Sequence, residues 1–333
     1  GSPGRWLFAP VERVEARGGE LRIRLRFPWR RFPYALTTPS ASPRGVAGPF
    51  RVVAARAGRI VARRGTLRVV FRQLDPAAAL HAFRRGEVDE APVPLGDLAG
   101  LRRDPRLAPD VRVRPLLGVD LVGFDLLGGP LAGVPHTRAA YFRGADRNDY
   151  DALIPERAAP AAFGLLGRGP AAPLLRRKAR RQIGDLPPVN AALGVQRNPD
   201  LVYAAATIAA QWRDLGLGAS VDPSRAPLAG GTWFLRLVAA YPQPEALPAA
   251  LLLPREAPNP WLAAPSRART LLLAALAAGS QAAPLARVDD ALAATTAIVP
   301  LAGVASPRLV SPRVRGWRQN VLGNVEYARV QVR

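Results

Sequence analysis

The chain of 333 residues contains no cysteine and no methionine, a single lysine (Lys178) and two histidines (His81 and His136). Without cysteine there is no disulfide, no thiolate nucleophile and no cysteine-held zinc or iron–sulfur site. Two histidines far apart in sequence leave little material for a histidine-rich metal site or a Ser-His-Asp triad. Long apolar runs are missing too: "ALPAALLLP" (246–254) and "TLLLAALAAG" (270–279) are bounded by Pro or Gly and fall short of the ~18–20 residues a bilayer span needs. Neither phosphate-binding glycine fingerprint occurs, nor does a G-x-S-x-G nucleophile elbow. No period of about 20–50 residues repeats, which removes solenoids and propellers. The first residues show no charged segment followed by an apolar one, and the opening Gly-Ser reads as a remnant of cloning. No cofactor and no metal site is expected.

What the chain has in abundance is arginine. Lys and Arg total 47 against 25 Asp and Glu, a formal charge of +22, and all but Lys178 of the basic residues are arginine. Beside the plentiful Ala, Pro and Gly, this skew fits a GC-rich coding sequence. The arginines are spread along the chain, with "RRKARR" (176–181) the one dense block, and that block reads as a solvated helix face. No recognised nucleic-acid module accompanies the charge, so no specific nucleic-acid partner is expected. Weak, salt-sensitive attraction to polyanions follows from net charge alone. At 49% apolar and 22% charged, the composition is that of a globular protein large enough for two cores.

Patterning sets out the elements. "VERVEA" and "ELRIRLRF" alternate around Gly18-Gly19 and predict a hairpin. A Pro- and aromatic-rich loop is expected at 27–45, then a three-stranded meander over 48–72. Asp75-Pro76 predicts a helix start and Gly86 its stop. Strands are expected at 111–117, 119–126, 190–196, 217–222 and 231–241, and extended structure at 297–304 and 325–332. Helices are expected near 95–104, 136–145, 146–154, 244–252, 267–278 and 285–296. The clearest helix spans 198–216, where Leu201, Ala204, Ile208, Trp212 and Leu215 form one apolar stripe. Strands and helices alternate without a strict βαβ period.

Two features invite a functional reading. In "AFRRGEVDEAPV" (82–93), Glu87, Asp89 and Glu90 crowd into four positions, the raw material of acid/base chemistry or of an acidic turn. Aromatic residues Trp29, Phe32, Tyr34, Phe124, Trp233, Phe234, Tyr241 and Trp261 fall in or beside loops and strand ends. Such rings line ligand clefts as well as cores.

Five stretches, in order, resemble the family 5 extracellular solute-binding proteins, the peptide- and nickel-binding receptors of ABC importers. "GPFRVVAARAGRIVARR" is similar to that family's "GTGPF" segment and hairpin, with Val46 and Ala47 in place of its glycine and threonine. "DPAAALHAFRRGEVDEAPVPLGDLAGLRRDP" resembles its helix, "GEVD" turn and next helix. "LVGFDLLGGPLAGVPHTRAAYFRGADRNDYDAL" resembles its "RqAi.yAiDR" segment, where Arg138, Ala139, Asp146 and Arg147 match and Asp125 replaces the usual asparagine. "YAAATIAAQWRDLGLGASVDP" and "AIVPLAGVASPRLVSPRVRGW" complete the order.

The resemblance implies an α/β, two-lobed Venus-flytrap fold with mixed sheets flanked by helices and a hinge of crossing strands. The first lobe is expected at 1–130 plus 297–333 and the second at 131–296. It implies a non-catalytic receptor outside the cytoplasm, at the periplasm or cell surface, that delivers a peptide-like or other small solute to an ABC permease. Membrane attachment would come only through a lipid anchor outside this sequence. Peptide-binding members carry an acid in a "W.aDY..P" stretch that pairs with the ligand's α-amine. Here "LVAAYPQP" (237–244) has Leu237 for the tryptophan and Ala240 for the acid, while Tyr241 and Pro244 persist. The expected ligand-binding residues are Trp233, Arg236, Tyr241, Phe124 and Phe32, with Arg236, Trp233 and Tyr241 suited to an anionic or aromatic solute. A ligand-sensing module of a transcriptional regulator and an unrecognised hydrolase using Glu87 or Asp89 stand as alternatives. Under the receptor reading, the acidic stretch is a structural turn in which Arg84 or Arg85 neutralises Glu87 and Asp89 binds backbone donors.

Overall fold

The structure, a computed structural model, describes residues 5–38, 48–148, 164–166, 172–225, 231–253, 266–279 and 282–333. Trp261, most of the helix expected at 146–154 and most of the loop that follows it lie outside the described residues.

Strands β1 (Val11–Arg17) and β2 (Glu20–Leu25) form the expected hairpin. Its turn residues Gly18 and Gly19 have φ of +56° and +83°, the left-handed pair that suits a tight hairpin and that glycine adopts freely. The segment expected to be irregular contains a short helix, α1 (Phe32–Leu36), which buries Phe32 and Ala35. Two apolar residues three apart suffice to seat one turn, a signal too short to stand out from its Pro-rich surroundings.

Strands β3 (Arg51–Arg56), β4 (Arg59–Arg64) and β5 (Leu67–Arg72) make the antiparallel meander. Helix α2 (Pro76–Arg84) starts as its sequence dictates, with the Asp75 carboxylate accepting from the Ala78 amide at 2.8 Å. Strand β6 (Glu90–Pro92) and helix α3 (Leu95–Arg103) follow. Next comes β7 (Val111–Phe124), one continuous strand of 14 residues where two were expected, parted at Gly118. Gly118 is a close-approach site rather than a break: a Cβ there would stand 2.8 Å from the Leu237 carbonyl oxygen.

Beyond β7 the elements are α4 (Pro135–Gly144), α5 (Ala172–Gln182), β8 (Asn190–Gly194), α6 (Pro199–Arg213), β9 (Gly218–Asp222) and β10 (Thr232–Val238). Helices α7 (Ala246–Leu252), α8 (Ser266–Ala277) and α9 (Ala282–Thr295) precede the long β11 (Ile298–Val310). Short strands β12 (Val314–Arg315) and β13 (Gln331–Val332) close the chain. The extended structure expected at 325–332 is thus only partly a strand, because Tyr327–Arg329 forms a 3-10 turn.

The chain divides into two compact units, residues 1–41 with 117–304 and residues 42–116 with 305–333. In the larger unit the sheet order is β11–β7–β10–β8–β9, with β10 antiparallel to β7 and parallel to β8. Val122, Phe124 and Phe234 from the sheet pack with Tyr141 of α4 and with Ile208 and Trp212 of α6. In the smaller unit β6 pairs antiparallel with the end of β11, and α2 and α3 bury Leu80, Phe83, Leu98 and Leu101 against Ala91, Val111 and Leu309. Strands β7 and β11 each run from one unit into the other. The units differ from the lobes expected at 1–130 with 297–333 and at 131–296, chiefly in residues 1–41. That segment belongs with the larger unit because the Arg30 amide donates to the Leu276 carbonyl at 3.2 Å and Trp29 packs on Tyr241.

Gly123 faces Trp233 across the β7–β10 pair, and a Cβ at that position would lie 1.8 Å from the indole ring. Gly123→Ala is therefore expected to destabilise the protein by roughly 1–3 kcal/mol through overpacking, read as a lowered urea midpoint with unchanged slope.

Candidate ligand-binding site

Strand alternation divides β10 into two faces. Trp233, Leu235 and Leu237 point one way, and Thr232, Phe234 and Arg236 the other. Arg236 lies directly opposite Asp120 of β7. Its Nε donates to Asp120 Oδ1 and its Nη2 to Oδ2, both at 2.8 Å, in a two-toothed fork. The Asp120 side chain is 1% exposed and that of Arg236 is 23% exposed. A carboxylate so deeply buried demands a cation, and Arg236 supplies it. The anionic solute expected of Arg236 is thus met by an internal anion: in this structure its fork is committed to Asp120.

Two other expected residues are interior groups. Phe124 is fully buried, its ring 6.0 Å from Tyr141, and Trp233 is fully buried over Gly123. Both lie in the fully buried stretches of their strands, Val119–Phe124 of β7 and Thr232–Phe234 of β10.

The remaining two, Phe32 and Tyr241, come together beyond the end of β10. The ring of Trp29 stands 5.7 Å from Phe32 and 5.9 Å from Tyr241, tilted to both. The chain reaches this point through the Ala239 amide, which donates to the Leu117 carbonyl at 2.8 Å and extends the β7–β10 ladder by one bond. Arg31, between Trp29 and Phe32, sends Nη1 to Gln243 Oε1 and to Glu245 Oε2, the latter at 3.4 Å. Glu245 is fully buried at the start of α7. The cluster is therefore aromatic on one side and an internally compensated Arg–Gln–Glu group on the other. Among the described residues the Trp29 Nε1 and the Tyr241 hydroxyl have no hydrogen-bond partner. Burial, and then the nearby Glu245 charge, push the Tyr241 hydroxyl above its ordinary pKa, so it is neutral and able to donate throughout the physiological range.

Arg31, Gln243 and Glu245 were not singled out from the sequence. The available signal was an acid immediately after Tyr-Pro-Gln-Pro at a helix start. Its partner lies 214 positions away, beyond any local pattern.

The acidic stretch 87–90 does not converge on a site. Glu87 binds Arg85 at 2.6 Å and Arg72 at 3.4 Å, Asp89 binds Arg313, and Glu90 binds Arg308 at 3.2 Å and the Tyr327 hydroxyl at 3.0 Å. Arg85 neutralises Glu87 as expected. Among the described residues the Asp89 carboxylate binds the distant Arg313 instead of the backbone donors of its own turn, and its main-chain carbonyl accepts from the Ser311 amide.

No family model matches the chain, and no curated protein sequence does. Solved structures do match in three dimensions. OppA of Haemophilus influenzae, in complex with the peptide RPPGFSPFR, superposes on 99% of this chain and 80% of its own, with a TM-score of 0.77 at 15% identity. The ABC transporter-associated periplasmic binding protein DppA of Helicobacter pylori, in complex with the peptide STSA, matches 99% of this chain and 76% of its own, with a TM-score of 0.78 at 16% identity. NikZ of Campylobacter jejuni, in complex with Ni(L-His), matches 95% and 76%, with a TM-score of 0.73 at 14% identity. The chain has the α/β fold of these periplasmic binding proteins.

Two outcomes test the site's internal chemistry. Arg236→Ala is expected to lose about 3 kcal/mol of stability by stranding Asp120, and Asp120→Ala combined with Arg236→Ala to recover part of it. Additive losses in urea titrations would show that the pair is not coupled. Tyr241→Phe removes a buried hydroxyl with no partner among the described residues and is expected to be neutral or stabilising by up to about 1 kcal/mol.

Proposed function

We propose that the chain is an extracytoplasmic solute-binding receptor that hands a small solute to an ABC permease. The observation that carries this reading is the fold likeness over 99% of the chain to OppA and DppA, both solved with peptides bound. These relatives are binding proteins rather than enzymes, in keeping with a receptor that performs no chemistry. Location in the periplasm or at the cell surface, and attachment through a lipid anchor, belong to the same proposal.

The proposed site is the cluster beyond β10: Tyr241, Phe32 and Trp29, all buried in this structure, would supply ring faces once uncovered, with Trp29 Nε1 and the Tyr241 hydroxyl as donors. Its charges are balanced within the protein, Arg31 by Glu245 and Arg236 by Asp120. Ala240 offers no carboxylate to an incoming amine. A solute held here needs apolar or aromatic surface and hydrogen-bond acceptors, and it gains nothing from a free α-amine.

The test is a thermal-shift and calorimetric screen of free peptides, the same peptides N-acetylated, amino acids, aromatic carboxylates and sugars. A true ligand at about 100-fold over its Kd adds about 2.7 kcal/mol to stability. Stabilisation by an acetylated peptide equal to that by its free form is the expected pattern for peptides. Binding that collapses on acetylation would restore an amine-pairing mode, and no stabilisation by any class would remove the receptor reading.

A further inference from the structure

Residues 48–72 carry seven arginines and no carboxylate. Folding sorts six of them onto one face of the β3–β4–β5 meander. Directly opposed across the three strands are Arg51, Arg63 and Arg68 in one row and Arg56, Arg59 and Arg72 in another. Between these rows lies a third, Ala54, Val61 and Val70. The two cationic rows are four residues apart on β4 and β5, or about 13 Å along the strands. All six arginines are exposed. The seventh, Arg64, is on the other face, where it donates to the Ala328 carbonyl and where Phe71 meets the Tyr327 ring at 5.3 Å. One face of the meander thus meets the C-terminal segment of its own unit through Arg64 and Phe71, with Val52 and Ile60 of that face still exposed, and the other face presents the six arginines to solvent.

Like charges directly opposite one another weaken a sheet. Here two full rows of three are kept, and among the described residues the one carboxylate given to them is Glu87, which reaches Arg72 at 3.4 Å while also binding Arg85. We propose that this face docks on an anionic lipid surface: the two guanidinium rows take phosphate headgroups, and exposed Ala54 and Val70 between them face the boundary of the acyl chains, while Val61 of the same row is buried. A bilayer accepts both the charge and the apolar strip. A bare phosphate backbone would use the charge and leave the apolar row without a role. The surface belongs to the smaller unit and involves none of the residues assigned to solute binding.

The test is vesicle flotation of the full chain at moderate salt, with pure phosphatidylcholine or with equal parts phosphatidylcholine and phosphatidylglycerol. Each arginine near an anionic surface raises partitioning about fivefold. The triple variant Arg51→Gln, Arg63→Gln, Arg68→Gln is expected to bind the mixed vesicles about 100-fold more weakly. A control triple on α5, Arg177→Gln, Arg180→Gln, Arg181→Gln, removes the same charge from exposed positions and is expected to change binding less than about threefold. Because the chain lacks cysteine, Val70→Cys takes a single environment-sensitive dye, and its emission is expected to shift to the blue only with phosphatidylglycerol present. Equal loss in both triples, no binding to the mixed vesicles, or an unshifted dye overturns the proposal. So does tighter capture of duplex DNA or polyglutamate by the same three arginines, which would assign the face to that partner. Thermal melts of both triples guard the comparison, and relieving like-charge opposition is expected to leave the melting temperature unchanged or higher.

Discussion

The register of β10 against β7 is the constraint on which the larger unit depends. Seven consecutive pairs run from Thr232 opposite Phe124 to Val238 opposite Gly118. Two of them act as locks on opposite faces of the sheet. Trp233 fits only over a residue without a Cβ, and Gly123 is that residue. Three positions on, Arg236 forks the buried Asp120. A slip of one residue would drive the indole into a side chain and leave a carboxylate uncompensated in the interior, while turning every apolar residue of the strand to the wrong face. Because β10 also pairs with β8, the register propagates outward to β8 and β9. It also fixes where the chain emerges at Ala239, and hence where Tyr241 meets Trp29.

Much of the framework was legible because its signals are local. Asp75 and Asn198 cap their helices as their positions suggested, and the five apolar residues of the α6 stripe and its end are all buried. The Gly18-Gly19 turn dictates its hairpin. Errors arose where a local signal had a tertiary meaning. Gly118 read as a break in what is one strand, since glycine was needed there for a neighbouring carbonyl. Arg236 read as a ligand for solute because Asp120 lies 116 positions away, and strand pairing alone brings the two together. Phe124 and Trp233 sit at strand ends in sequence yet inside the sheet in space. The same gap in sequence hid Glu245 from Arg31.

Arginine is the residue this chain uses wherever a cation is wanted, and its roles separate by burial. Arg147 is fully buried, with Nε donating to the Pro300 carbonyl at 2.8 Å, Nη1 to the Phe142 and Ala145 carbonyls, and its guanidinium 4.8 Å from the Phe142 ring centre. Burial lowers its pKa to about 10, which still leaves it charged at neutral pH. Arg138, also buried, closes the Leu131 and Ala132 carbonyls at 2.6 Å each. Both occupy positions that the family resemblance marked, and both act as pins that join loop backbone to helix α4 and strand β11. A planar fork with several donors can satisfy carbonyls from separate segments at once, which a lysine ammonium at the same depth could do less well.

That use of arginine bears on how a +22 chain can present a neutral binding site. Arg31 and Arg236 are each matched by a buried acid, while two full rows of exposed arginine stand on the β3–β5 face. Repulsion among exposed arginines is screened within about 8–10 Å at ordinary salt. Under the proposed function, selectivity at Tyr241 would rest on ring faces and uncharged donors. Ala240 adds no carboxylate to this arrangement, so under the proposed function an amine would find no acid at that position and the ring faces and neutral donors would have to do the selecting.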